Sequence, residues 1–243
     1  MCGKYILAQA AKAERALGIR RGRWDYPPSY RVLPTEQVPV AIDTEGDTEA
    51  VMMRWGLIPW WQHGVPLKAS TINATVERLA SAPSYRDPWR RGQRCLFAMG
   101  GFYEPHVNDD GEREQYFVSL TGREVFAVAG LWDRSRRADG SYVFSCTLIT
   151  VPANALLAQV HNAKERMPAI VGEAGYGAWL GGSPEEALAL LKPYPDGEMR
   201  AWRVSRRVNN PRLPNDASLI EPAGPVWAHA AQAGGGPGVD ALG

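Results

Sequence analysis

The chain has 243 residues, of which 45% are hydrophobic and 22% charged, which is enough apolar material for one sizeable core. Its 27 Lys and Arg residues nearly balance 26 Asp and Glu residues, so the formal net charge is +1. This balance excludes binding to nucleic acid or membranes through overall charge, and any site for a polyanion must be a local patch.

The cysteines and the apolar segments indicate the compartment. Cys2, Cys95 and Cys146 are odd in number and lack the paired spacing of a zinc site, which argues against a disulfide framework and for a reducing compartment. The start of the chain has no apolar stretch of signal-peptide length, and no later segment approaches a membrane span. We therefore expect a cytoplasmic monomer with no membrane partner, no metal and no cofactor.

The first half of the chain predicts one surface helix and a hairpin. AQAAKAERAL (8–17) is rich in helix formers and is followed by Gly18, a typical residue for a helix C-terminus. VPVAI (38–42) and EAVMMRWGL (49–57) read as two strands around an acidic turn, DTEGDTE (43–49). Further short apolar runs at 94–104, 115–120, 124–132 and 141–151 predict an antiparallel sheet system.

The second half contributes two better-marked helices. In PANALLAQVH (152–161), Pro152 is placed to open a helix and His161 falls near its end. In SPEEALALL (183–191), Ser183 is the cap, Pro184 takes the first turn and Glu186 completes a capping box. The predicted fold is therefore α+β, with antiparallel sheets forming a barrel-like or sandwich core and flanking helices. Residues 1–222 are predicted to form a single domain, and the Gly- and Ala-rich residues 223–243 a flexible tail.

Cys2 is the strongest candidate for chemistry. Loss of Met1 would leave an amine and a thiol on adjacent carbons, and such a group adds to an aldehyde as a Schiff base and then closes to a thiazolidine. An α-amine has a pKa near ~8 and a lysine near ~10.4, so near neutral pH their uncharged fractions differ by roughly two hundredfold. The chain terminus is therefore the expected nucleophile, in preference to Lys4.

The sequence also resembles the SOS response-associated peptidase (SRAP) family. The matching segments occur in family order: MCGKY, YRVLPTEQVPV, MRWGLIPWW, INATVERL, RCLFAMGGFYEP, FAVAGLW, TLITVPANALLAQVHNAKERMPAIV and VSRRVNNPRLPNDASLIEP. Each segment alone is weakly specific, but the ordered set from Met1 to about Pro222 is specific.

The resemblance implies that Cys2 forms a covalent cross-link to the ring-opened aldehyde of an abasic site in single-stranded DNA, which shields the lesion. Reversal of the cross-link, β-elimination (a lyase activity) and self-removal of Met1 are also implied, as is association with the nucleoid. Asn73 of INAT is expected to orient the Cys2 amine. Glu104 of GFYEP is expected to shuttle protons during ring opening and imine formation, and His161 to assist the same proton transfers and the release of the adduct.

Family position also suggests residues that contact DNA. The candidates are Lys4, Thr150 and Arg166 as contacts to the DNA backbone, Pro34, Trp55 and Gly56 as the lining of the lesion pocket, and Thr75 as a further DNA contact. Trp55 either stacks on a base beside the lesion or belongs to the core. Thr75 replaces an arginine that is usual in the family, Lys4 stands where arginine is usual, and Pro105 where tryptophan is usual. Elsewhere the basic residues form local groups, among them Arg134, Arg136 and Arg137.

Three other functions fit parts of the sequence. A class II glutamine amidotransferase also uses a cysteine that follows Met1, but this chain has no asparagine-glycine-aspartate motif. A peptidase could act on its own terminus, since Met1 removal is the one cleavage that the sequence demands. A reader of modified bases would bind DNA without bonding to it.

Overall fold

The computed structural model describes residues 2–228. The first seven strands in this range are β1 (Tyr5–Leu7), β2 (Ser29–Val32), β3 (Gln37–Thr44), β4 (Asp47–Trp55), β5 (Asn73–Thr75), β6 (Arg94–Met99) and β7 (Gly101–Val107). The next seven are β8 (Arg113–Leu120), β9 (Phe126–Arg136), β10 (Tyr142–Pro152), β11 (Arg166–Pro168), β12 (Ile170–Val171), β13 (Met199–Val204) and β14 (Val226–Ala228). The α-helices within it are α1 (Ala10–Leu17), α2 (Arg86–Arg90), α3 (Ala155–Val160), α4 (Tyr176–Gly181) and α5 (Pro184–Leu190).

Five strands close into a barrel. They follow the order β10-β4-β3-β6-β9, and β9 pairs again with β10 to complete the circle. The strands are rich in apolar residues, and all six residues of β6 are buried. Closure removes the unpaired edges of the sheet and surrounds a continuous apolar core.

A second sheet of six strands packs against the barrel in the order β14-β13-β8-β7-β1-β2. Phe102 of β7 belongs to the main core, whereas its neighbour Tyr103 belongs to a smaller cluster on the opposite face. This alternation is the period of two that a β-strand imposes on its side chains. Strand β1 lies inside this sheet, between β7 and β2, so it is hydrogen-bonded on both edges.

The α+β class and the antiparallel sheets with few helices are confirmed. The predicted acidic hairpin joins β3 and β4 through Glu45 and Gly46, which both adopt positive φ, 57° and 85°. Helix α1 ends at Gly18 in the left-handed conformation, and α5 has the predicted capping box on Ser183. These predictions hold because each depends on local backbone chemistry.

One local prediction is wrong. Pro152 does not open a helix; it is the last residue of β10, and α3 begins at Ala155 with Asn154 as the cap, whose side chain accepts from the Leu157 N–H. The sheets are mainly antiparallel, and β10 adds two parallel pairs, with β4 and β5. The pair with β4 closes the barrel, and no local sequence pattern signals it.

Regular structure continues beyond residue 222, after which the sequence predicted a flexible tail. Residues Val226–Ala228 form β14, paired with β13, and the ring of Trp227 packs 4.6 Å from that of Tyr116. The remainder of the predicted tail, 229–243, lies outside the described residues. None of the helices in residues 2–228 is long and apolar enough to cross a membrane.

Candidate active site

Cys2 lies three residues before β1 and is fully buried. Its carbonyl accepts a hydrogen bond of 2.7 Å from the side-chain amide of Asn73. Close by, Tyr5 packs edge-on against Trp55, with 5.2 Å between the ring centroids. Cys2 is therefore held by this hydrogen bond and by the packing of the strand that follows.

Asn73 reaches Cys2 because β5 is bound into the barrel sheet. Asn73 pairs with Leu148 of β10, and its own carbonyl accepts a 3.2 Å hydrogen bond from the hydroxyl of Tyr85. The side-chain oxygen Oδ1 of Asn73 is buried with no hydrogen-bond partner among the described residues. One end of this amide is therefore used, and the other remains available to an N–H donor.

Glu104 is a fully buried carboxyl on β7, on the same face as Phe102. Burial raises its pKa to about 7, while the positive charges of Lys4 and Lys164 act in the opposite direction. A carboxyl with this pKa exchanges a proton readily near neutral pH. Glu104 is thus suited to act as both acid and base.

His161 ends α3 and is buried beside Glu104. Its Nδ1 lies 3.0 Å from the carbonyl oxygen of Arg166 and 3.8 Å from Oε2 of Glu104. The first distance is that of a hydrogen bond and the second is too long for one. Burial lowers the pKa of His161, with the Arg166 carbonyl acting in the opposite direction. The imidazole is therefore neutral near pH 7, and Nδ1 carries the proton donated to that carbonyl.

The thiol of Cys2 is uncharged in this environment. Burial raises the pKa of the thiol well above its ordinary range, and the charge of Glu104 acts in the same direction. The sulfur lies 3.5 Å from the carbonyl oxygen of Lys4. Such a thiol is a weak nucleophile by itself, so a nearby base must take its proton before sulfur can attack.

Lys4 is a half-buried cation next to the site. Its Nζ donates a 2.8 Å hydrogen bond to Oδ1 of Asn209, and burial lowers its pKa. The following residues, 210–213, are held by buried Arg31, which donates to the carbonyls of Asn210, Pro211 and Leu213. Sequence reasoning missed Asn209 and Arg31. The only available signal was the consecutive asparagines in VNNPRL.

Arg166 is held in place by neighbours on the barrel. It forms a bidentate ion pair with Glu77, at 2.7 and 3.1 Å, and donates to the carbonyl of Thr150 at 2.7 Å. Thr150 itself is fully buried, so it supports Arg166 and cannot contact DNA in this structure. Thr75, paired with Thr150, is partly exposed.

Of the three residues predicted to line the lesion pocket, only Pro34 has exposed surface. Trp55 is fully buried, and its indole N–H donates to the carbonyl of Ile72 at 2.9 Å, so it is a core residue and not a platform for a base. Gly56, also buried, has a φ of +116°, and an added Cβ would lie 2.7 Å from the guanidinium of Arg54. Pro34 is partly exposed beside this segment, since the N–H of Thr35 donates to the Trp55 carbonyl at 2.8 Å.

The structure therefore brings together Cys2, Asn73, Glu104 and His161 from four separate segments. Lys4, Pro34, Thr75 and Arg166 retain exposed surface, whereas Trp55, Gly56 and Thr150 do not. Among residues 2–228 there is no group of three or more His, Cys, Asp or Glu side chains that could hold a metal ion.

Comparisons with a family model and with named proteins point to the same family. Residues 1–211 match the family model described as SOS response associated peptidase (SRAP). The chain is 32% identical over 200 residues to the abasic site processing protein YoqW of Bacillus subtilis, covering 81% of this chain and 87% of that protein. It is 28% identical over 275 residues to the abasic site processing protein HMCES of Mus musculus, covering 92% of this chain and 76% of that protein.

Solved structures share the fold. A crystal structure of a protein from Bacteroides thetaiotaomicron covers 91% of this chain and all of its own, with a TM-score of 0.80 at 24% identity. One from Bordetella bronchiseptica covers 84% of this chain and all of its own, with a TM-score of 0.74 at 25% identity. With the sequence matches above, these likenesses show that the chain belongs to the SOS response associated peptidase (SRAP) family.

Proposed function

We propose that this protein processes abasic sites in single-stranded DNA through Cys2, after removal of Met1. The relatives with matching sequences are named abasic site processing proteins. The observation that carries the proposal is the hydrogen bond from Asn73 to the Cys2 carbonyl, which fixes the start of the chain in a buried site with Glu104 and His161. A buried amine and thiol beside a carboxyl that titrates near pH 7 suit imine chemistry.

The first step would form a Schiff base. The α-amine of Cys2 attacks the aldehyde carbon of the ring-opened deoxyribose, and the carbinolamine hydroxyl leaves as water. The proton for that water comes from Glu104, which its raised pKa keeps partly protonated at neutral pH. The open acceptor Oδ1 of Asn73 would receive an N–H of the amine and so orient its lone pair towards the aldehyde.

The second step would close a thiazolidine ring. Glu104, now ionised, takes the proton of the Cys2 S–H, which overcomes the high pKa of the buried thiol. The sulfur then bonds to the carbon of the protonated imine, the C=N π electrons become the lone pair of nitrogen, and nitrogen keeps the one proton that it already carries. The reverse path needs the same proton transfers, and there neutral His161 would assist. A Schiff base at the same carbon also permits β-elimination, the lyase reaction.

Lys4, Arg166, Thr75 and Pro34 would contact the DNA around the lesion, because they retain exposed surface near the site. The ion pair with Glu77 leaves Arg166 partly neutralised, so we expect Lys4 to be the stronger phosphate contact. Binding before the covalent step should therefore weaken with salt.

Intact mass spectrometry tests the proposal directly. The purified protein is mixed with a single-stranded oligonucleotide that carries one abasic site, and peptide mapping then locates the attachment. We expect a heat-stable adduct at Cys2 in protein that lacks Met1. The Cys2→Ser variant keeps the amine but lacks the thiol, so it should give only an imine that borohydride can trap.

Three results would overturn the proposal. They are an adduct at another side chain, a stable adduct in protein that keeps Met1, or no adduct at all. Ammonia release from glutamine, measured on the same samples, tests the amidotransferase alternative. Full lesion binding by the Cys2→Ala variant, together with no adduct from the wild type, would indicate a non-covalent reader.

A further inference from the structure

The outer face of the β9–β10 hairpin carries a second group of residues suited to nucleic acid, away from Cys2. Strand alternation brings arginines and aromatic rings to the solvent side of this hairpin, while their neighbours Asp133, Ser135 and Val143 point inwards and are buried. We call this surface the arginine–aromatic ladder. Its members are Trp132, Arg134, Arg136, Tyr142 and Phe144.

The ladder is held by cross-strand pairing. Arg136 lies opposite Tyr142, and Arg134 opposite Phe144. The guanidinium of Arg134 lies 5.3 Å from the ring centre of Tyr142, and the rings of Trp132 and Phe144 are 6.3 Å apart. Tyr142 and Phe144 remain 48% and 43% exposed, which is unusual for rings of this size. Cations and exposed rings therefore alternate on one rigid surface.

The positive charge of the ladder is not neutralised. Within residues 2–228, neither Arg134 nor Arg136 has an ion-pair partner. Nearby carboxylates are engaged elsewhere: Asp133 accepts from the Trp60 backbone N–H and pairs with Arg91. The exposed indole of Trp60 extends the surface, and a depression of about 490 Å³ lies between it and the ladder.

We propose that the arginine–aromatic ladder binds undamaged single-stranded DNA. Arginines bind phosphates, and exposed rings offer stacking platforms that accept any base, which together are the features of a single-strand surface. A duplex hides the faces of its bases, so the rings could not stack on it. An apolar protein partner would be poorly matched around Tyr142, because the guanidinium of Arg134 lies over that ring. Phe144 lies opposite Arg134 and also borders an apolar depression that Val51 and Met52 line.

This surface is distinct from the proposed lesion site and extends its function. Phe144 and Thr150 are six residues apart on β10, about 20 Å along an extended strand. Thr150 contacts Arg166 at the site, so the ladder occupies the other end of the same strand. Its binding would need neither Cys2 nor a lesion, and would hold intact DNA that flanks the damage.

Fluorescence anisotropy with a labelled oligothymidine of about 20 nucleotides tests this inference. All measurements use the Cys2→Ala background, which has no covalent step. Replacing Arg134 and Arg136 together by alanine should weaken binding at least tenfold and lower the slope of log Kd against log salt by about 1.4, which corresponds to two single-strand phosphate contacts. Replacing both by lysine should restore most of that slope.

The aromatic pair gives an independent readout. Replacing Tyr142 and Phe144 by alanine should weaken binding about fivefold or more while the salt slope stays unchanged, since stacking releases no counterions. The matched control is the Arg15→Ala, Arg113→Ala double variant, in which two exposed arginines without ion pairs in residues 2–228 are removed from other surfaces. It should bind as the parent does.

The inference is overturned if the ladder variants bind oligothymidine as the parent does, if the control loses equal affinity, or if duplex DNA shows the same dependence on the rings. All side chains substituted on the ladder and in the control are exposed, the buried Cys2→Ala change is common to every protein compared, and the lysine pair remains a test if an alanine variant fails to fold. Because no arm involves a lesion, a failure of the proposed abasic-site chemistry would leave the ladder result unaffected.

Discussion

The buried site around Cys2 and the exposed arginine–aromatic ladder lie at opposite ends of β10, and they use polar groups in opposite ways. At the buried site, Glu104 has a pKa of about 7 because solvent is excluded. On the ladder, Arg134 and Arg136 are exposed to water and would bind DNA with release of counterions. One fold thus offers a buried environment suited to proton transfer and an exposed one suited to a polyanion.

The difference teaches that the two regions respond to different variables. Burial makes the first region sensitive to pH and insensitive to salt, because low solvent exposure limits screening. Exposure makes the second region sensitive to salt and tolerant of substitution. The following predictions concern the buried site around Cys2. The failure of any one of them would weaken the contrast between this site and the ladder.

Removal of the Glu104 carboxyl should have the largest effect on the rate of adduct formation. The Glu104→Gln variant should form the adduct at least about a hundredfold more slowly, because the loss of a general acid-base typically costs ~10²–10⁴ in rate. The reaction needs protonated Glu104, with a pKa of about 7, and an uncharged α-amine, with a pKa near ~8, so the wild-type rate should pass through a maximum between these values and decline above it. The variant should lack that decline. Single-turnover rates between pH 6 and 9 measure both, and an identical pH profile would exclude Glu104 as the proton donor.

The same substitution should change the pH dependence of stability. The pKa of Glu104 is raised from 4.5 to about 7 in the folded protein, so between these values the folded state binds more protons than the unfolded state. The stability of the wild type relative to Glu104→Gln should therefore fall across this range, by about 3 kcal/mol in total, and then stay level. Urea unfolding of both proteins at several pH values measures this difference. A constant difference from pH 4 to 8 would contradict it.

His161 should matter most for reversal of the adduct. The His161→Ala variant should release DNA about tenfold more slowly or less completely, with a smaller effect on formation, since its imidazole is neutral near pH 7 and able to accept a proton. Release into excess competing aldehyde measures the reverse rate. Equal release by variant and wild type would remove His161 from the proton path.

The smallest effect is expected at Tyr85. The Tyr85→Phe variant loses the hydrogen bond to the Asn73 carbonyl and should lower stability by about 1 kcal/mol. If Tyr85 positions Asn73, the maximal cross-linking rate should also fall a few-fold with unchanged affinity for DNA. A stability change without any rate change would mean that the hydroxyl only supports the fold.

The sequence singled out four residues that the structure brings together, Cys2, Asn73, Glu104 and His161, and their chemical roles stay predictions. The positions of Gly18 and Ser183 followed from local capping rules and are confirmed. The roles of Trp55 and Thr150 could not be predicted, because their burial depends on how the barrel closes through parallel pairs of β10.

Contacts between distant segments were also beyond sequence reasoning. Lys4 meets Asn209 across 205 positions, and Arg166 meets Glu77 across 89. Neither partner stands out in its own segment, since exposed asparagines and glutamates are common. The ladder was visible only as a basic group at 134–137 until the hairpin register placed Tyr142 and Phe144 beside it.

The position of β1 within its sheet has a practical consequence for handling the protein. Because β1 is hydrogen-bonded on both edges and Cys2 is buried just ahead of it, residues added in front of Cys2 would have to pass beside buried side chains such as Asn73. An affinity tag at that end would also convert the α-amine that the proposed chemistry needs into an amide. Purification handles, fluorophores and surface tethers therefore belong at the opposite terminus.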